Sequence, residues 1–300
     1  MKYFDSHTHV NFVAYNEDRE ATVLRAKDAG VGMNVVGTQL DTSKAAVALA
    51  QMYDNVYATI GLHPVHTTKS YHDVKELGPS FAPPPRKATD GHSKATEGKE
   101  GQEGFTSRGE VFDMSAYEAL GKNPRVIAVG ECGLDYYRSD ESTKAVQKNV
   151  FIQQIELANK LQKPLMLHIR PSVAKAMEGK NAYEDSLEII KAHAKVRGDV
   201  HFFAGGWDIA KQFLDIGFTL SFTGVVTFTH DYDEVVRNAP LDMILSETDA
   251  PYVTPVPYRG KRNEPAYVQE VVRAIARIRG KDVEEVAAQI VANSKRVFGF

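Results

Sequence analysis

Lys2-Tyr3-Phe4-Asp5-Ser6-His7-Thr8-His9 opens the chain as a short apolar run that ends in two histidines one residue apart. In a strand, residues i and i+2 point to the same side, so both imidazoles reach one point just past the strand's end. An open, doubly wound sheet would usually carry a glycine-rich phosphate loop after its first strand. Here a His-x-His pair stands in that place, and neutral imidazole is the commonest protein ligand for zinc and similar ions. Fold class and chemistry therefore turn on whether later strands also end in ligands.

The remaining strand-like runs are residues 33–37, 56–64, 125–131, 164–168, 199–203, 218–222 and 243–247. Helical stretches lie between them, at 16–30 with Gly30 as a stop, at 41–52 with Asp41 to Ser43 as N-cap candidates, and at 112–120. A long amphipathic helix at 141–162 places Val146, Val150, Ile155, Ala158 and Leu161 near one face. Further helices are expected at 183–196, 208–215, 232–238, 264–278 and 282–293. Strands alternating with helices imply parallel βαβ units. Residues 79–109 break the rhythm: they are rich in Pro, Gly, Lys, Glu and Ser, include Pro83-Pro84-Pro85, and read as a flexible, low-complexity insertion after strand three. Without them about 270 residues remain, the size of a single-domain α/β (β/α)8 TIM barrel.

Composition sets the bounds. The 300 residues are 43% hydrophobic and 25% charged, an ordinary globular balance. A formal net charge of -3 argues against a broadly basic body that binds nucleic acid by bulk electrostatics, and leaves room for a local basic patch. Cys132 is the one cysteine, so no intrachain disulfide forms and a cytoplasmic home is expected. No apolar signal region or membrane-length apolar run is apparent, and no obligate protein partner is evident.

Barrel enzymes place their chemistry at the C-terminal ends of strands. His7, His9, His63, Glu131, His168, His201 and Asp249 all fall at or near such ends, on six different strands. Six of them, His7, His9, Glu131, His168, His201 and Asp249, make a two-metal set of nitrogen and carboxylate ligands. A carboxylate of this set can bridge two ions about 3.5–4 Å apart, and Asp249 can hold a metal and also take a proton from the attacking water. Each has a structural alternative, such as a core histidine at His168 or a turn carboxylate at Asp249. Glu247, two residues before Asp249, is a competing carboxylate. Cys132 should point away from Glu131 and serve packing. Arg170, Arg259 and Arg262 are candidate phosphate contacts, with structural pairing to Glu264 or the barrel rim as the alternative for the last two. Phe202, Trp207 and Tyr252 are candidate base-stacking rings.

With these motifs in view, the chain resembles the TatD family of metal-dependent hydrolases, in the amidohydrolase-like barrel superfamily. The resemblance rests on Phe4-Asp-Ser-His-Thr-His9, Ile60-Gly-Leu-His-Pro64, Ala128-Val-Gly-Glu-Cys-Gly-Leu-Asp-Tyr-Tyr137, Pro164-Leu-Met-Leu-His-Ile-Arg170, His201-Phe-Phe-Ala-Gly205, Leu245-Ser-Glu-Thr-Asp-Ala-Pro-Tyr252, Arg259-Gly-Lys-Arg-Asn-Glu-Pro265 and Asn293-Ser-Lys-Arg-Val-Phe298. It implies one metal on His7, His9 and Asp249, a second on His168 and His201, and Glu131 between them. It also implies a substrate-side role for His63, dependence on Mg2+ or Mn2+ (with Zn2+ compatible), and deoxyribonuclease activity, in some relatives 3'-5' exonuclease activity on single strands. Two motifs depart from the family pattern. Ile169-Arg170-Pro171 stands where a polar residue, Arg and Asp are usual, and His201-Phe202-Phe203-Ala204-Gly205 where His-Cys-Phe-Ser-Gly is usual. All six ligands are kept, so the departures bear on the substrate pocket. The expected substrate is a DNA strand end or a small phosphodiester or ester. The alternatives are a D-aminoacyl-tRNA deacylase or other ester or amide hydrolase, and a non-catalytic binding protein on an inherited barrel.

Overall fold

The computed structural model describes residues 1–68, 71–73, 104–106, 109–137, 140–172 and 181–300. Eight strands run parallel in sequence order: β1 (Tyr3–Thr8), β2 (Val31–Val36), β3 (Val56–Ile60), β4 (Val126–Asp135), β5 (Leu165–Arg170), β6 (Gly198–Val200), β7 (Thr219–Phe222) and β8 (Ile244–Ser246). Helices connect most of them: α1 (Arg19–Asp28), α2 (Leu40–Met52), α3 (Met114–Gly121), α4 (Glu141–Leu161), α5 (Ala182–His193), α6 (Trp207–Asp215) and α7 (Asp233–Asn238), followed by α8 (Val268–Arg279) and α9 (Val283–Phe298). This is the nearly closed (β/α)8 barrel the alternating pattern predicts. A short antiparallel pair, Tyr71–Asp73 with Gly104–Thr106, forms a separate two-stranded sheet. Most of the predicted insertion at 79–109 lies outside the described residues.

Several boundaries differ from the sequence expectation. The fourth strand continues past Glu131 to Asp135, and the sixth stops at Val200, so His201 lies just beyond its strand. Helix α2 is capped by Gln39, reciprocally with Thr42, while Asp41 falls in the first turn. On α4 the expected apolar face is rotated. Val146 is 39% exposed, while Gln147 and Gln154 are buried among the aliphatic positions. Tertiary partners explain this: Gln147 bonds the backbone of Asp135, and Gln154 that of Leu62, so the amides serve strand ends that lack ladder partners.

The barrel interior is graded along its axis. Phe4, Ile127, Met166 and Leu245 are each the second residue of their strands and pack in one cluster with Val291 and Phe298 of α9. Phe300 stacks on Phe4 at 4.6 Å and adjoins Tyr57 at 4.3 Å, so the chain end closes the N-terminal mouth with aromatic rings. Two residues further along, Asn34 of β2 donates to Ser6 O of β1 at 3.0 Å and to Thr59 Oγ1 of β3 at 2.8 Å. An apolar plug at one end thus gives way to a hydrogen-bonded polar layer toward the C-terminal ends.

The barrel closes between β1 and β8. Thr8 bridges Ala250 in parallel, Asp249 N donates to His7 O at 2.9 Å, and His9 N donates to Ala250 O at 2.8 Å. Asp5 completes the seam. Its fully buried carboxylate accepts from Thr248 N at 2.8 Å, Thr248 Oγ1 at 2.6 Å and His7 N at 3.3 Å. Replacing Thr248 with Val removes one of these donors at nearly constant volume. An equilibrium urea titration of Thr248→Val is expected to give a stability loss of about 1–3 kcal/mol, the cost of under-satisfying a buried polar group.

Candidate metal centre

Each candidate ligand is placed by its strand end. His7 and His9 sit at the end of β1 and just past it, where their Nε2 atoms face each other at 3.1 Å. Asp249 follows β8 in the left-handed backbone region (φ 53°) and brings Oδ1 to 3.8 Å from His7 Nε2 and 3.4 Å from His9 Nε2. Glu131 reaches the same pair with Oε2, at 3.4 and 3.7 Å. Its other oxygen, Oε1, lies 2.8 Å from His168 Nδ1, 3.0 Å from His201 Nε2 and 3.3 Å from His63 Nε2. One buried carboxylate therefore faces two groups of imidazoles with its two oxygens. Ligand atoms around a zinc ion with bonds of about 2.0–2.2 Å sit about 3–3.5 Å apart, and the separations here, from 2.8 to 3.8 Å, bracket that range.

The chemistry of the donor set also fits a cation. His168 meets Glu131 at one ring nitrogen and Asp135 Oδ2 at the other, 3.1 Å away. His201 meets Glu131 at Nε2 and Glu247 Oε1 at Nδ1, 3.2 Å away. A neutral imidazole carries one hydrogen, so at one end of each ring a lone pair would confront a carboxylate. A positive charge removes that conflict, either a second ring proton, which the surrounding carboxylates favour for both rings, or a cation between ring and Glu131. With a cation bound, Asp135 and Glu247 would be the outer carboxylates that fix ring orientation and tautomer, as Val36 O does for His9 Nδ1 at 3.0 Å. His7 differs. Its buried Nδ1 has no hydrogen-bond partner, and its ring stacks on that of His201 at 3.7 Å. Groups of His7, His9 and Asp249, and of His63, Glu131 and His168, have the proximity a metal ion needs.

His63 follows β3 and caps a short helical turn, Pro64–His66, by accepting from Val65 N–H at Nδ1 over 3.1 Å. Its neutral ring must therefore carry its hydrogen on Nε2, the atom that faces Glu131. Burial and the neighbouring His168 push its pKa down to about 4, so the ring is neutral near pH 7. Burial works to raise the Glu131 carboxyl, but His63, His201 and His7 outweigh it and hold the group well below the usual carboxylate range. Asp249 shows the same balance, with the His9 hydrogen bond overcoming burial.

Asp135 is absent from the ligand set read from the sequence. Its signal was the parity of Glu131, Gly133 and Asp135 on one strand. Gly133 (φ 138°) allows the approach of β5 there, since a Cβ would lie 2.2 Å from His168 O. Glu247, the competing carboxylate, is fully buried. It accepts from Phe202 N at 2.7 Å and shares the Ser221 hydroxyl with Asp199. Cys132 packs in the core, with Sγ near Val129 O and Met166 O, and burial pushes its thiol up.

The three candidate phosphate arginines each lie over an aromatic ring: Arg170 over Tyr137 at 3.8 Å, Arg259 over Phe228 at 4.1 Å and Arg262 over Tyr15 at 4.2 Å. Arg259 also donates to Thr254 O at 2.9 Å. Arg262 is engaged further, with both terminal nitrogens on Asp18 at 2.8 and 2.6 Å and one on Ala14 O at 2.7 Å. Glu264, the other partner considered for Arg262, pairs with Arg25 at 2.6 Å. Of the candidate stacking rings, Phe202 and Trp207 are partly buried, as is Tyr252.

Known proteins were compared with this chain. A family model described as TatD related DNase matches residues 4–299. Over 300 aligned residues the chain is 35% identical to the uncharacterized metal-dependent hydrolase YabD of Bacillus subtilis (strain 168), covering 98% of both chains. It is 29% identical over 306 residues to the 3'-5' ssDNA/RNA exonuclease TatD of Klebsiella pneumoniae (strain 342), covering 99% of this chain and 97% of that one. Among solved structures, YJJV, a TatD homolog from Escherichia coli K12, shares the fold with a TM-score of 0.75 at 24% identity, over 100% of this chain and 98% of that one.

Two measurements probe this geometry. Asp135→Asn is expected to weaken Mn2+ binding about 10- to 100-fold in calorimetric titration, because His168 loses its outer carboxylate. Arg262→Ala tests the rim pair. Hydrogen bonding to Arg262 holds the Asp18 carboxyl down at about 2, against about 4 when unfolded. A depressed carboxyl pKa stabilises above the unfolded value and loses that contribution as pH falls through the folded one. The stability gap between wild type and Arg262→Ala in urea should therefore be full at neutral pH and narrow progressively below about pH 4.

Proposed function

This chain belongs to the TatD-related DNase family of metal-dependent hydrolases, and on that premise we propose that it is a deoxyribonuclease that uses two divalent ions to hydrolyse the phosphodiester at a nucleic-acid strand end. The observation that carries this reading is Glu131, whose two oxygens address His7 and His9 on one side and His168, His201 and His63 on the other. His7, His9 and Asp249 would hold one ion and His168 and His201 the other, with Glu131 shared. When bound, such a pair supplies an activated water and charge to neutralise a leaving oxygen. Mg2+ or Mn2+ suits the activity, and the number of imidazoles also admits Zn2+.

The chain's own residues divide the remaining work. Asp249, ionised and beside both His7 and His9, accepts the proton of the attacking water. His63 presents Nε2–H to the same space and donates to a substrate oxygen. Arg170, exposed at the end of β5 and stacked on Tyr137, meets a phosphate at the rim. Arg259 and Arg262 stand on the loop after β8 and are engaged there, Arg259 with Thr254 O and Phe228 and Arg262 with Asp18 and Tyr15. The 3'-5' exonuclease named among the relatives supports a single-stranded substrate. A cytoplasmic location belongs to the same reading, supported by the single buried thiol, and among the described residues no helix is long and apolar enough to cross a membrane.

The test offers single-stranded DNA and D-aminoacyl-tRNA to the purified protein with Mg2+, Mn2+ and Zn2+ in turn. Wild type is expected to cleave DNA, and Glu131→Gln and Asp249→Asn to lose about 100-fold or more in kcat. Variants that match wild type on every substrate would sink the hydrolytic assignment of these residues. Cleavage of the aminoacyl ester without DNA would replace the substrate and keep the site.

A further inference from the structure

We propose that Phe228, backed by Arg259, is a base-stacking platform for the nucleic-acid strand, an inference that rests on the nuclease reading above. Among the described residues Phe228 is the only exposed Phe, Tyr or Trp, at 45% exposure, and Val256, whose N–H bonds the neighbouring Thr227, is 44% exposed. The Arg259 guanidinium lies 4.1 Å from the ring centroid and is anchored by its hydrogen bond to Thr254 O. Ring and cation thus form a preassembled pair with an apolar and a positive component. That is the chemistry of a nucleobase next to its phosphate, and stacking requires no particular base because every base has a π face.

The pair is tied to the catalytic end of the barrel. Phe228 follows β7 directly after the helical turn Gly224–Thr227. Gly224 packs so tightly on the loop after β8 that a Cβ would lie 2.2 Å from Val253 O. Thr227 Oγ1 accepts from Val256 N at 2.9 Å and donates to Gly224 O at 2.6 Å. The same loop carries Asp249, four residues before Val253. The platform and the proposed proton acceptor are therefore fixed to one another through short backbone-anchored contacts. A strand with its terminal phosphodiester at Glu131 and Asp249 would find the nearest exposed ring here. Purely structural support for Arg259 is the competing role for Phe228, and it would not depend on whether the substrate carries bases.

The experiment uses that difference. Steady-state hydrolysis of a short oligothymidylate is compared with that of an abasic strand of the same length and charge, for wild type, Phe228→Ala and Phe228→Trp. Phe228→Ala is expected to raise KM for the oligothymidylate about 10-fold, the size of one base–aromatic stack, with kcat within about two-fold. The same variant should leave the abasic strand nearly unchanged, and Phe228→Trp should restore wild-type KM. Should Phe228→Ala fail to fold, Phe228→Leu keeps the volume without the aromatic face. Equal effects on the two strands, or none on either, would overturn the platform while leaving the nuclease reading intact. A wild type that cleaves neither strand would overturn both.

Discussion

The seam between the first and last strands is the constraint on which the site depends. Asp5 is a carboxylate with no exposed surface, and burial alone would push its pKa well up. It is satisfied by two donors from Thr248 and one from the His7 backbone, so its hydrogen bonds exist only when β1 and β8 lie side by side. The same closure sets His7 and His9 opposite Asp249, although roughly the whole chain separates them. A barrel left open at this edge would keep every ligand in place on its own strand and still lack a centre, since no strand contributes more than two donors.

Polarity inside the barrel prepares that centre from below. Aromatic rings and aliphatic side chains seal the N-terminal mouth, where no function is placed. Above them Asn34, Thr59 and Ser6 interlock, and near His201 the Ser221 hydroxyl lies between Asp199 and Glu247 at 2.6 and 2.7 Å. Burial and the nearby Glu247 charge push the Asp199 carboxyl up to about 7, which suits a group that must share a hydrogen with its neighbours. Glu247, held in turn, fixes the His201 ring. The imidazoles around Glu131 are thus positioned by groups that are themselves immobilised, which is the condition for a low-cost, preorganised site.

The positive charge of the rim is organised differently from what a basic patch would suggest. Arg170, Arg259 and Arg262 are each laid on a ring, and Arg262 is further neutralised by Asp18. With a net charge of -3, long-range attraction of a polyanion is weak. The rim is therefore suited to short-range contacts, in keeping with a site built from inward-facing donors.

Much of this was legible in the chain itself. The alternation of apolar runs with helical periodicity gives eight parallel strands because the two patterns have different periods and burial demands. His7, His9, Glu131, His168, His201 and Asp249 could be picked out because each interrupts or ends an apolar run with a residue type that rarely sits there without a partner. What the sequence could not carry is pairing at a distance. Asp135 hides four residues, two repeats of the pleat, beyond the visible end of its run. Val146 and Gln147 exchange roles because a strand end needs an amide. Arg262 finds Asp18 and Phe228 finds Arg259 only after the loops at the rim are packed together. Periodicity is a local property and survives in one dimension, whereas the partner of a charge or a ring is decided by which loops the closed barrel brings side by side.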